Sequence, residues 1–127
     1  MLILIDNKSG APIYDQIFTQ IKGHILSGEL KSEEPLPSIR ALAKDLRISV
    51  ITTKRAYEEL ERDGFIENFT GKGCFVKQQN PDFLREEIIR QTEELLRKAC
   101  EKARLGGLTL EEMKEMLELM YGGDTDA

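Results

Sequence analysis

Tryptophan is absent from the sequence, histidine occurs once and cysteine twice. The cysteines, Cys74 and Cys100, stand far apart, and neither lies close to His24. That spacing argues against a disulfide framework, a zinc knuckle and a redox pair. No metal and no cofactor are expected, and a reducing cytoplasm is the expected compartment. A lone histidine leaves little for acid–base chemistry, and no nucleophile–base pair or cofactor motif is visible, so an enzyme is not expected. Long apolar runs are also missing. The longest is Met1 to Ile5, far short of a membrane span and not followed by a cleavable signal. Basic charge is in deficit as well: Lys+Arg number 18 against 23 Asp+Glu, a net of −5. Taken whole, that sign argues against a polyanionic partner.

What is present is one modest core's worth of apolar residues, 40% of 127, with 32% charged. The charge is not spread evenly. Residues 1–78 carry 11 basic and 11 acidic side chains, and residues 79–127 carry 7 and 12, so the whole excess lies in the last third. The polar stretch Gln78-Gln79-Asn80-Pro81 marks the boundary, because proline disfavours helix in the residue before it. The expected domains are therefore a unit over residues 10–78, preceded by a short leading strand and turn over 1–9, and a helical segment over 79–127.

Hydrophobic periodicity fills in the elements. Leu2-Ile3-Leu4-Ile5 reads as a short strand and Asp6 to Gly10 as a turn. Pro12 opens a helix whose Ile13, Ile17, Ile21 and Ile25 form one stripe, ending near Gly28. Ser38 caps a short helix marked by Ile39, Leu42, Ala43 and Leu46. After a tight connection at Arg47-Ile48, Ser49 caps a third helix with Thr53, Ala56, Tyr57 and Leu60 inside, stopping at Gly64. Phe65–Phe69 and Cys74–Val76 read as two strands of a hairpin turning at Thr70-Gly71-Lys72-Gly73. In the last third, Leu84, Ile88, Leu95, Ala99 and Ala103 form the stripe of a long helix ended by Gly106-Gly107. Thr109 and Glu112 make a capping box for a second helix with Leu110, Met113, Leu117 and Met120 on one face. Gly122 to Ala127 reads as a disordered polar tail. The fold class is α+β, mainly α.

Three helices followed by a two-stranded wing suit DNA. Two short helices joined by a tight turn make a helix-turn-helix, and the second can lay its N-terminal end in the major groove. Between Ser38 and Arg55 the basic residues are Arg40, Lys44, Arg47, Lys54 and Arg55, with Asp45 the one acid, a local net of +4. The acids of the third helix, Glu58, Glu59, Glu61 and Asp63, come later. Lys72 between two glycines can bring a cation close to phosphate.

Taken in order, Pro12-Ile13-Tyr14, Ser27-Gly28-Glu29-Leu30, Leu36-Pro37-Ser38-Ile39-Arg40, Leu42-Ala43 with Leu46, Ala56-Tyr57 through Gly64-Phe65-Ile66, and Gly71-Lys72-Gly73 with Phe75-Val76 resemble the GntR-type winged-helix regulators. The short two-helix remainder resembles the YtrA-like subfamily. The resemblance implies a bacterial repressor, often of transporter genes, dimerising through its helical tail. It also implies DNA contacts at Arg40, Ser49, Thr52, Lys54 and the wing tip Gly71-Lys72-Gly73. Three departures stand out. Val50-Ile51 replaces a common Arg-Thr, which exchanges guanine reading for contact with thymine methyls. Arg47 replaces a usual glycine; if the turn needs positive φ, arginine costs on the order of 1 kcal/mol, which a phosphate contact could offset. Ser32-Glu33 replaces a common Pro-Gly. The full set expected at DNA is Ser38, Arg40, Arg47, Ser49, Val50, Ile51, Thr52, Lys54, Arg55, Gly71, Lys72 and Gly73.

Two amphipathic helices of this size do not easily form a stable core alone. Packing against the same helices of a second chain would bury Leu84, Ile88, Leu95, Leu110, Met113, Leu117 and Met120. The expected partners are double-stranded DNA with a palindromic operator and a second copy, with no membrane. No dedicated sensing domain for a small-molecule effector is visible, though a pocket for one is left open. The alternative is a winged helix that binds protein rather than DNA.

Overall fold

The computed structural model describes residues 1–123. Its helices are α1 (Ile13–Leu26), α2 (Ile39–Leu46), α3 (Val50–Arg62), α4 (Pro81–Leu105) and α5 (Leu110–Gly123). Between α3 and α4 lie strands β1 (Ile66–Phe69) and β2 (Gly73–Val76). The chain divides into two compact units, Met1–Leu84 and the residues from Arg85 onward. No described helix is long and apolar enough to cross a membrane.

The first unit is a winged helix built on the expected stripes. Ile17, Ile21 and Ile25 of α1 meet Thr53, Ala56, Tyr57 and Leu60 of α3, all buried. Leu42 and Ala43 complete the layer from α2. Fully burying a side chain the size of Leu60 or Phe65 contributes about 1.5–3 kcal/mol. The two polar side chains in this layer have partners. The Thr53 hydroxyl donates to the Ser49 carbonyl at 3.1 Å, and the Tyr57 hydroxyl to the Pro37 carbonyl at 2.8 Å. The second bond ties α3 to the loop ahead of α2. Phe83, in the first turn of α4, packs its ring 5.8 Å from that of Phe65, so this unit reaches Leu84.

β1 and β2 pair antiparallel, with Ile66 opposite Val76 and Phe69 opposite Gly73. The outer edge of β2 is occupied too. Glu33 donates its N–H to the Val76 carbonyl, Val76 returns one to Glu34, and Leu36 donates to Cys74, all within 2.9 Å. Residues 33–36 thus run beside the hairpin like a third strand.

The leading segment is a correction. Leu2–Ile5 alternates exposed and buried side chains as a strand does, but it pairs with no strand. Side chains of α1 satisfy its backbone instead. Gln20 brackets both the N–H and the carbonyl of Leu4 (2.9 and 2.7 Å), and Gln16 does the same for Asp6 (2.8 and 2.9 Å). His24 lies 2.9 Å from the Leu2 carbonyl. Steps of four along a helix and of two along an extended chain both advance about 6–7 Å, so the two ladders keep register.

In the second unit, α4 carries Arg97 between Glu94 and Glu101, bonded to both. That pairing lowers the Glu94 carboxyl from its ordinary range and raises the Arg97 guanidinium. The expected capping box starts α5: Glu112 donates its N–H to the Thr109 hydroxyl at 3.1 Å, and its carboxylate accepts from the Thr109 N–H at 3.2 Å. Gly122 and Gly123 belong to α5, which corrects a tail expected from 122; the rest of that tail lies outside the described residues.

Candidate nucleic-acid interface

The two serines expected as caps fix where α2 and α3 begin. Ser38 Oγ accepts from the Ala41 N–H and Ser49 Oγ from the Thr52 N–H, each at 3.0 Å. Such caps contribute about 1 kcal/mol each. The Ser49 hydroxyl also donates to the Thr52 hydroxyl at 2.8 Å, leaving the two as one small polar cluster at the start of α3. Beside it Val50 is half exposed and Ile51 is 81% exposed. An isoleucine that open, in the first turn of a helix whose other face is core, offers methyl groups to whatever approaches.

Arg40, Lys44 and Arg47 recur at steps of four and three, so they share one side of α2 and its end. All three are exposed and make no side-chain ion pair among the described residues. Lys44 belongs to the basic window of residues 38–55 but not to the set expected at DNA. The signal that singles it out is its register with Arg40. Other cations are engaged. Lys54 lies 3.9 Å from Glu58, and Arg55 lies 3.7 Å from Glu59. The Arg55 guanidinium also stacks 3.7 Å from the centre of the Tyr14 ring on α1. That contact joins residues far apart in sequence, so periodicity gives no hint of it.

The wing tip has the expected form. Gly71 and Gly73 sit at φ of 80° and 99°, a region that strains any residue with a Cβ, and they hold exposed Lys72 between them. Behind the wing, burial and the nearby Glu61 charge push the Cys74 thiol up to about 11, against a smaller opposing hydrogen bond from the Phe75 backbone. Burial, chiefly, also raises the Tyr57 phenol. Neither group is ionised near neutrality. Among the described residues no cluster of His, Cys, Asp or Glu is grouped to hold a metal ion.

A family model described as "Bacterial regulatory proteins, gntR family" matches residues 13–76. The chain belongs to the gntR family. It is 35% identical over 117 residues to the HTH-type transcriptional repressor YtrA of Bacillus subtilis (strain 168), covering 92% of this chain and 90% of that protein. A GntR family transcriptional regulator from Listeria monocytogenes superposes with a TM-score of 0.74 at 27% identity, covering 90% of this chain and 97% of its own. The fold is shared with AraR(DBD), solved in complex with operator ORX1, at a TM-score of 0.53 and 23% identity over 60% of this chain and 95% of that one. As a family member the chain is a DNA-binding transcriptional regulator.

Proposed function

We propose that this protein represses bacterial genes as a homodimer on a palindromic operator, transporter genes among its candidate targets. The observation that carries the reading is the group of cations without an ion pair among the described residues, Arg40, Lys44, Arg47 and Lys72, on α2, its turn and the wing. Arg47 stands two residues before the Ser49 cap of α3 and shares a side of α2 with Arg40 and Lys44, while the cations further along α3 are paired with its acids. In this arrangement the N-terminal turn of α3 enters the major groove, and Val50 and Ile51 meet thymine methyls. Ser38, Ser49, Thr52 and Lys54 lie at the groove edge, and Gly71-Lys72-Gly73 reach the flanking phosphates. Arg55 contributes mainly through its stack on Tyr14.

The dimer reading rests on the second unit. Leu95, Leu110, Leu117 and Met120 are each more than half exposed, and Ile88 is nearly so. The apolar face of α4 is broad, because Ile89 and Leu96 extend the stripe of Ile88 and Leu95. Isologous pairing of these helices across a two-fold axis would cover them, with Leu84 and Met113 at the edges. A two-fold dimer presents two α3 helices, which is what a palindrome requires.

Selection of bound sequences from a random duplex pool tests the function. The expected product is an A/T-containing inverted repeat with fixed half-site spacing. Recovery of unrelated sequences, or of single half-sites only, would contradict it.

A further inference from the structure

Two non-glycine residues have positive φ: Glu33 at 69° and Arg47 at 58°. Both replace a glycine that the family resemblance would place there. At Arg47 the conformation is dictated by its surroundings. The Ile48 N–H donates to the Ala43 carbonyl at 3.0 Å, and the Arg47 N–H to Lys44 at 3.2 Å, the pattern that closes a helix through one left-handed residue. Two residues later Ser49 caps α3, so the turn has no room to relax. The position suits glycine or asparagine, and an arginine there is strained.

Strain alone says little, as Glu33 shows. What distinguishes Arg47 is the rest of its setting. It is a cation, exposed and unpaired among the described residues, on the same side as Arg40 and Lys44 and next to the start of α3. Among the described residues its guanidinium makes no hydrogen bond or ion pair that would offset the strain. We propose that Arg47 is a DNA phosphate contact that raises affinity without reading sequence, kept at the expense of fold stability. The proposal rests on the DNA-binding reading of α2 and α3. Each Arg47 neutralises one phosphate, so a dimer gains two counterion-release contacts outside the groove.

The test uses the full chain and its Arg47→Gly, Arg47→Asn, Arg47→Lys and Glu33→Gly variants. Thermal unfolding is measured beside affinity for one fixed duplex across a salt series. Glycine at either position raises Tm by roughly 4–8 °C, because both relieve the same backbone strain. Arg47→Gly and Arg47→Asn lower affinity about tenfold at moderate salt and make the salt slope shallower by about 2 per dimer. Arg47→Lys keeps the slope, and Glu33→Gly changes neither slope nor affinity. The Arg47→Asn variant retains the left-handed turn, which separates lost charge from altered helix geometry. If wild type binds with a steep slope and Arg47→Asn matches it, the phosphate contact is overturned while the DNA reading stands. If wild type itself shows no salt-dependent binding, the DNA reading fails and this proposal with it.

Discussion

Leu60 in α3 and Leu117 in α5 both sit on the apolar stripe of a short amphipathic helix. Leu60 is fully buried, whereas Leu117 is 53% exposed. The same contrast runs through the two units. In the winged helix the large apolar side chains close on one another, and Thr53 and Tyr57 have hydrogen-bond partners. In the tail, leucines and methionines remain uncovered within the chain. The winged helix closes a core of its own, and the tail leaves much of its apolar stripe open. Charge divides close to the same line, with net zero in residues 1–78 and −5 in residues 79–127. Most of the acidity that counts against DNA in the whole chain lies in the unit proposed to self-associate.

Breaking the winged-helix side of this contrast gives the largest effect. Leu60→Ala should destabilise by about 2–5 kcal/mol through the cavity it leaves, seen as a lower denaturant midpoint. That loss should persist at every protein concentration. Breaking the tail side should act through assembly. Leu117→Glu combined with Met120→Glu should give a monomer by sedimentation and weaken operator binding on the order of 100-fold or more, while the winged helix keeps its secondary structure. An unchanged dimer would move the interface elsewhere.

Arg40→Ala sharpens the distinction between free and engaged cations. It should weaken DNA binding by about 1–3 kcal/mol if it reads a base, measured by titration of a fixed duplex. Arg55→Ala should weaken binding less and lower stability by about 0.5–1 kcal/mol as the stack on Tyr14 is lost. The smallest effect concerns Cys74. With its thiol pushed up to about 11, the reactive thiolate is scarce at pH 8 and grows as pH rises toward that value. Its alkylation should be slow at pH 8 and speed up about tenfold per pH unit; fast labelling at pH 8 would mean that the wing opens.

Much of this was legible in the sequence because the signals are local. The isoleucine stripe, the two serine caps, the glycine-flanked wing and the Thr109–Glu112 box all lie within one helix or turn. Arg47 was legible conditionally: its cost depended on positive φ, and φ is 58°. The missed features join distant segments. Residues 33–36 pair with β2 although Pro35 and Pro37 hide any strand pattern. Leu2–Ile5 has strand alternation, yet its partners are glutamine side chains on α1, which a pattern of apolar residues does not encode. Lys44 needed the face of α2 to be seen beside Arg40.

The most direct test of the central claim is the salt dependence of binding to the palindrome recovered by selection. With about eight phosphates neutralised by a dimer, log affinity should fall against log salt with a slope near −7. A slope near zero, with affinity unchanged across the series, would contradict a DNA contact built on Arg40, Lys44, Arg47 and Lys72.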